Sequence, residues 1–451
     1  MKTNISIIIA LSLMLVSCSN KSNNQQFVLQ DSVKNPVPEW SKNCNIYEVN
    51  IRQYTPEGTF KAFEKHIDRL KQTGVDILWL MPIYPVGEKN RKGTLGSPYG
   101  VKDYTAVNPD YGTLDDLKAI VNKAHACGMH VILDWVANHT AWDNKWVSSN
   151  PEFYTKDSLG NSPIVPAGTD WFDTADLDYS CVELRKTMID AMAFWIKNAD
   201  IDGFRCDVAG MVPVDFWVDA VNQLYKIKPV FMLAEDEGPQ VNAAFHMTYG
   251  WNFHHIINDI AQGKKSADEL EKYFNEDAKK FKPEDYKMMF TSNHDENTWN
   301  KSEYQRMGDA AQTMAVLCYT VPGMPLIYSG QEAAMDKSLR FFDKDTIDFS
   351  NCKLQQFYAD LNNLKHNNKP LWNGIYGGNL KFISSDNKNI SIFSREKDNE
   401  KIICIFNLSN KTQEVKCELS GDYTNLLTNE KVTLLPDKAI SLNAWNYFIF
   451  K

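Results

Sequence analysis

Cysteine is sparse in this chain: nine in 451 residues, with no CxxC pair and no spacing typical of a metal site. That excludes a small disulfide-stapled scaffold and argues against structural zinc. Basic residues are not in excess either. Lys and Arg number 48 against 57 Asp and Glu, for a formal net charge of -9, which disfavours a nucleic-acid partner because phosphate binding needs clustered cations. Beyond the first 18 residues no long apolar run recurs, so no later segment is expected to cross a bilayer as a helix. What the chain has in quantity is aromatic side chains: 12 Trp, 19 Tyr and 23 Phe, or 12% of the residues. Core packing explains such a count, and so does a cleft of flat apolar faces; composition leaves both open. The length suits about three domains, or one large α/β barrel with additions.

The N-terminus reads as a targeting segment. Lys2 carries positive charge, and Ile5 to Val16 is apolar apart from Ser6 and Ser12, too short to span a membrane but suited to a signal peptide. The segment ends Leu15-Val16-Ser17-Cys18, which resembles the lipobox of bacterial lipoproteins. The resemblance implies cleavage before Cys18, acylation of that residue, and an exported protein anchored to the outer membrane on its periplasmic or surface face. A soluble secreted protein cut nearby is the alternative. Ser19 to Gln26 is polar, and residues 19–40 read as a flexible tether. Of the later cysteines, Cys404 and Cys417 are candidates for a disulfide across a hairpin turning at Asn410-Lys411; the others read as small buried hydrophobes.

From about residue 41 to 375, short apolar runs alternate with amphipathic ones. The expected strands are Ile46–Ile51, Ile77–Met81, His130–Asp134, Gly203–Asp207, Val230–Glu235, Trp251–His255, Met288–Thr291 and Pro325–Ser329. Helical patterns lie between them, such as Leu114-Leu117-Ile120-Val121-Ala124, with Thr113 as N-cap. Gly74 and Gly128 fall where helices should stop. This alternation predicts a (β/α)8 TIM barrel. Residues 140–180, rich in Trp, Asp, Pro, Ser and Gly, read as a subdomain inserted after strand three. Residues 376–451 read as an antiparallel β-sandwich of short alternating strands.

Active sites of such barrels lie at the C-terminal ends of the strands. There Asp134, Asp207, Glu235 and, just past its strand, Asp295 supply four acids to one axis. One acid ending a strand is more often a helix cap, but four converging would destabilise the fold unless function required them. Two carboxylates facing an acetal are the minimum for glycoside hydrolysis, one to protonate the leaving oxygen and one to attack. Arg205 lies two residues before Asp207 on the same strand face and is expected to hold it ionised, while Glu235 needs a raised pKa. A metal-hydrolase reading is weaker, because no His-x-His stands on strand one.

Asp134-Trp135-Val136-Ala137-Asn138-His139, Gly203-Phe204-Arg205-Cys206-Asp207-Val208-Ala209, Ala234-Glu235 and Ser292-Asn293-His294-Asp295 resemble the four ordered sequence regions of the α-amylase family, glycoside hydrolase family 13. The resemblance extends from about Ile46 to Glu332 and includes Ser97-Pro98-Tyr99-Gly100 and Ala175-Asp176-Leu177-Asp178. It implies a retaining hydrolase of α-glucosidic bonds in starch-derived malto-oligosaccharides or related α-glucans. Asp207 would be nucleophile, Glu235 acid and base, and Asp295 the partner of sugar hydroxyls. His139, His294 and Arg205 would contact or orient, Tyr99 would stack beneath the sugar, and Asp134 would be structural. Asn138 matches a family calcium ligand, with Asp170 or Asp173 as further oxygen donors, though the insertion shows no ligand-spaced acidic loop and the chemistry requires no cofactor. Trp142, Trp146, Phe153, Tyr154 and Trp171 are expected to flank the cleft.

One departure matters. Many α-amylases have Lys-His three and four positions after the nucleophile, where this chain has Gly210 and Met211. Asp207-Val208-Ala209, with Val212 and Phe216-Trp217, is more similar to the neopullulanase and cyclomaltodextrinase branch. The competing readings are a transglycosidase with the same residues and a non-catalytic glycan-binding lipoprotein.

Overall fold

The computed structural model describes residues 34–436 and 438–451. The expected signal peptide, Cys18 and most of the 19–40 tether lie outside them. Eight parallel strands close into a barrel: β1 Ile46–Val49, β2 Ile77–Leu80, β3 His130–Trp135, β4 Gly203–Cys206, β5 Phe231–Ala234, β6 Met247–Tyr249, β7 Tyr286–Met289 and β8 Met324–Tyr328. Each strand pairs with its sequence neighbours, and β1 closes the ring by pairing with both β2 and β8 through Ile46, opposite Ile77 and Leu326. These strands are buried on both faces, which accounts for their near-continuous apolar runs.

The sixth strand corrects the sequence expectation. Trp251–His255 belongs to a helix, Trp251–Ala261, and the strand is the three-residue run Met247–Tyr249 just before it. Phe253, Ile257 and Ile260 are its buried apolar positions, with His254 and Asn258 buried beside them, a helical spacing hidden by the density of aromatics around them. Three residues are too few to show a period at all.

Elsewhere local chemistry sets the boundaries. Thr113 caps the helix Leu114–Ala126 in a reciprocal box: its Oγ1 accepts from the Asp116 amide at 3.2 Å, and Asp116 Oδ2 accepts from the Thr113 amide at 2.9 Å. Gly203 opens β4 at φ +156, where a Cβ would stand 1.9 Å from the Phe231 carbonyl oxygen, so only glycine lets β4 and β5 approach. The insertion after β3 carries a two-stranded ladder, His139–Ala141 against Thr174–Asp176.

The C-terminal region is antiparallel. Strands β9 Asn379–Phe382, β10 Ile390–Lys397, β11 Glu400–Asn407 and β16 Tyr447–Phe450 form one sheet in the order β9-β10-β11-β16. Two further ladders, β12 Gln413–Val415 with β15 Ile440–Leu442 and β13 Gly421–Thr424 with β14 Lys431–Leu434, share its core through Val415, Leu434 and Leu442. The expected Cys404–Cys417 disulfide is corrected: all eight described cysteines are free. After β11 the chain leaves to pair with β15 rather than doubling back, so Cys404 faces Phe393 and Ile449 instead. Arg395 anchors this region on the barrel, buried and donating to the Gly378 and Thr320 carbonyls at 2.9 Å each.

Candidate active site

Strand alternation builds the site. Ile46, Ile77, Ile132 and Leu233 point into the barrel, so two residues further on Glu48, Trp79, Asp134 and Glu235 also face inward. Along β4 the same rule aims Gly203, Arg205 and Asp207 at the axis. Arg205, wholly buried, is the hub. Its Nη1 donates to Asp134 Oδ1 at 2.9 Å and to Asp207 Oδ1 at 3.2 Å, and its Nε donates to the Tyr249 hydroxyl at 3.1 Å. Its Nη2 stands 2.9 Å from Glu235 Oε2. Besides Asp207, which the sequence placed beside it, one guanidinium thus holds Asp134 and Glu235 as well.

Just past Asp207 the backbone is strained. Val208, β-branched, adopts φ 36 and ψ 48, a region that such a residue rarely enters. The turn aims the Val208 amide at Glu235 Oε2, 2.8 Å away. Both contacts of Glu235 therefore fall on Oε2, leaving Oε1 as the atom to carry a proton. Burial raises the Asp207 carboxyl well above its usual range, and the charge of Glu235 adds to this. Burial likewise raises Glu235, against the pull of Arg205. Two such carboxyls beside one cation influence each other's titration, and burial favours a proton on the pair.

His294 is protonated by design of its neighbours. Its Nδ1 donates to Glu48 Oε1 at 2.5 Å, while Nε2 lies 2.9 Å from the Tyr99 hydroxyl and 3.3 Å from Asp295 Oδ2. Burial opposes the charge, but Asp295 and Glu48 outweigh it and push the pKa up to about 9. Tyr99 donates in turn to Asp134 Oδ2 at 3.1 Å, which Trp79 Nε1 also reaches at 3.1 Å. The direction of every proton from Glu48 through His294 and Tyr99 to Asp134 is thereby set. Glu48→Gln removes one of the two anions holding the His294 proton. We expect the alkaline limb of kcat/KM to move to lower pH, since each pH unit beyond a pKa costs about tenfold in the protonated fraction. A pH profile superimposable on the wild type would contradict this.

The second histidine of the cleft is neutral. Burial pushes His139 down to about 4, so it presents an uncharged imidazole, with its ring 5.2 Å from that of Trp171. Of the five insertion aromatics expected to flank the cleft, Trp171 alone lines it. Trp146, Phe153 and Tyr154 are buried and pack with Tyr104, and Trp142 donates to the Phe172 carbonyl at 2.8 Å. They tie the insertion to the main core of the barrel, whose cluster also holds Tyr84, Trp135 and Trp195.

The residues named for calcium do not fit a calcium ion. Asn138 turns its amide toward His139 Nδ1 at 3.3 Å. Asp173 is paired with Lys92 at 3.5 Å, and the Asp170 carbonyl accepts from the same ammonium at 2.9 Å. Among the described residues no group of three or more His, Cys, Asp or Glu is placed to hold a metal. The departure at Gly210 has a steric counterpart: a Cβ there would stand 1.9 Å from Asp236 Oδ2, so a lysine needs Asp236 moved.

Sequence reasoning missed Glu48, Trp79 and Tyr249, and an aromatic wall of Trp299, Phe341 and Phe342. Glu48 had a readable signal, a lone acid inside the apolar strand Ile46-Tyr47-Glu48-Val49; Tyr249 was lost with the misplaced strand. Asp207, Glu235, Asp295, His139, His294 and Tyr99 share one cleft of about 620 Å³, a size suited to small ligands.

The chain matches the family model "Alpha amylase, catalytic domain" over residues 19–159 and 169–374, and "Bacterial Alpha amylase C-terminal domain" over 382–440. The α-amylase MalA of Haloarcula japonica is 26% identical over 408 residues, covering 87% of this chain; the match spans 59% of that relative's length. A maltogenic α-amylase, AmyB of Thermotoga neapolitana, superposes with a TM-score of 0.83 at 31% identity, covering 91% of this chain and 99% of the other. An α-amylase structure from Lactobacillus plantarum gives the same TM-score, identity and coverage. With four acids, one guanidinium and an oriented imidazolium already gathered at the C-terminal mouth of the barrel, these matches settle the family: the chain belongs to the α-amylase family of glycoside hydrolases.

Proposed function

We propose that this protein hydrolyses α-glucosidic bonds in malto-oligosaccharides or related starch-derived glucans, by a retaining double displacement. The observation that carries the mechanism is the pair of carboxyls on one guanidinium: Asp207 at 3.2 Å from Nη1 and Glu235 at 2.9 Å from Nη2. That grouping is in keeping with attack by one carboxylate while the other supplies the proton. In the first step an Asp207 oxygen attacks the anomeric carbon while Glu235 Oε1 passes its proton to the leaving oxygen. The glycosidic C–O bond breaks and a glycosyl ester on Asp207 forms. In the second, Glu235 takes a proton from water, the hydroxide oxygen attacks the same carbon, and Asp207 leaves as carboxylate. The imidazolium of His294 and the carboxylate of Asp295 face the sugar hydroxyls, and the Asp295 carboxylate gains as positive charge develops on the ring.

A water-resolved intermediate and a sugar-resolved one use the same residues. Product analysis on maltoheptaose tests the choice. Hydrolysis predicts shorter malto-oligosaccharides with one new reducing end per bond cut; longer products or disaccharide isomers without that gain would assign a transglycosidase. The similar Thermotoga enzyme is a maltogenic α-amylase, which makes maltose a product to look for. We further propose export as a lipoprotein acylated on Cys18, supported by the apolar run and Leu15-Val16-Ser17-Cys18. Labelled fatty acid should enter the wild type expressed in a bacterial host and be absent from Cys18→Ala; label retained in that variant would overturn the assignment.

A further inference from the structure

The two ends of the cleft are built differently. At the end where Glu235 must meet the leaving group stand Val208, Gly210 packed against Asp236, and an exposed Met211. There the contact between neighbouring loops is local, the Val208 amide donating to Glu235 Oε2 at 2.8 Å. At the other end a short strap, residues 92–96 of the loop after β2, is tied to loops on both sides. Toward the insertion, Lys92 Nζ donates to the Asp170 carbonyl at 2.9 Å and pairs with Asp173 Oδ1 at 3.5 Å. Toward the loop after β8, Asp343 Oδ1 accepts from the Thr94 amide at 2.9 Å and from its hydroxyl at 2.6 Å. The Leu95 amide donates to the Phe342 carbonyl at 2.9 Å. Beneath the strap, Arg52 Nη1 donates to the Gly96 carbonyl at 2.8 Å and lies 3.4 Å from the Phe341 carbonyl.

The strap also seals sterically. Gly93 holds φ +64, and a Cβ there would stand 2.4 Å from the Phe342 Cβ, so the backbone is pressed against that side chain. Behind it an aromatic wall continues into the site. The Phe341 ring lies parallel to Tyr99, 6.1 Å between centroids at 5°, and Trp299 stands 5.4 Å from Phe341. Trp299 remains 55% exposed, a flat face suited to a sugar ring at the rim.

We propose that the strap and this wall close the glycone end of the cleft, so that the enzyme accepts only a short non-reducing-end segment and cuts α-glucans from that end. The inference rests on the glycosidase function proposed above. Topology gives the direction: β5, which carries the proton donor Glu235, lies across the closed barrel from β1, and the tied loops follow β2 and β8 on either side of β1. A long chain enters through the open Met211 side and is held by its terminal sugars against Phe341 and Trp299, with Lys92, Asp170 and Asp173 lining the blind end.

The test compares maltoheptaose with maltoheptaose whose non-reducing-end glucose carries an ethylidene acetal, products being identified by mass spectrometry. Wild-type enzyme should cut the free sugar at least about a hundredfold faster than the blocked one, the discrimination expected of a steric exclusion. Lys92→Ala, which cuts the strap from the insertion, should raise the blocked-to-free rate ratio about tenfold. Trp299→Ala, a change at an exposed side chain, should raise KM for the free sugar more than it lowers kcat. Equal cutting of both sugars by the wild type would overturn the closed end while leaving the glycosidase function standing. A ratio unmoved by Lys92→Ala would overturn the role of the strap. Cleavage of neither sugar would overturn the function itself, and the inference with it.

Discussion

Asp207→Asn should lower kcat on maltoheptaose by about four orders of magnitude or more, with KM changed only a few-fold. An amide cannot form the glycosyl ester, while its shape keeps the Arg205 contact at the floor of the site. The variant should also fold at least as well as the wild type. Asp207 is held at an energetic cost, because burial and the charge of Glu235 both oppose its ionisation, and removing one of two repelling acids relieves that cost. Denaturant unfolding beside the kinetics separates the two effects. A variant that retains turnover within tenfold of the wild type would refute the assignment of the nucleophile. A variant that loses activity only because its unfolding midpoint collapses would make Asp207 a structural residue.

Glu235→Gln should give the second large loss, about a thousandfold on oligosaccharides, which is the range of a missing general acid. The loss should depend on the leaving group. A maltosyl fluoride needs no proton to depart, so its cleavage should fall far less in the first step, whereas a glucan pays for the missing proton in full. The side chain is suited to this exchange: its Oε2 keeps the Val208 amide at 2.8 Å, and Oε1 is the position altered. Equal losses on the fluoride and the oligosaccharide would contradict the acid role and point to a binding one.

Much of this was legible before the structure. The acids at strand ends announced themselves because parallel strands alternate, so Asp134, Asp207 and Glu235 could be placed on the barrel axis from parity alone. Arg205 was legible for the same reason. Its reach to Glu235 was not, because that depends on where β4 and β5 lie side by side, with Arg205 opposite Leu233. Glu48 lies far from His294 in sequence, and the two meet only when the barrel closes through β1 and β8. The strap was invisible for a related reason: Lys92 and Gly93 read as ordinary turn residues until the loop after β8 is seen against them. The short β6 escaped because three residues carry no period, and its loss took Tyr249 with it. The insertion's aromatics misled in the other direction, since composition cannot say whether Trp146 and Tyr154 face a cleft or the core.

The measurement that bears most directly on the account is the anomeric configuration of the sugar first released. Two displacements at one carbon, by Asp207 and then by water activated through Glu235, return the α configuration. Proton NMR of maltoheptaose digestion, read before mutarotation, should therefore show the α-anomer accumulating first and the β-anomer only later. A β-anomer appearing first would mean a single displacement by water, and would contradict a glycosyl ester on Asp207.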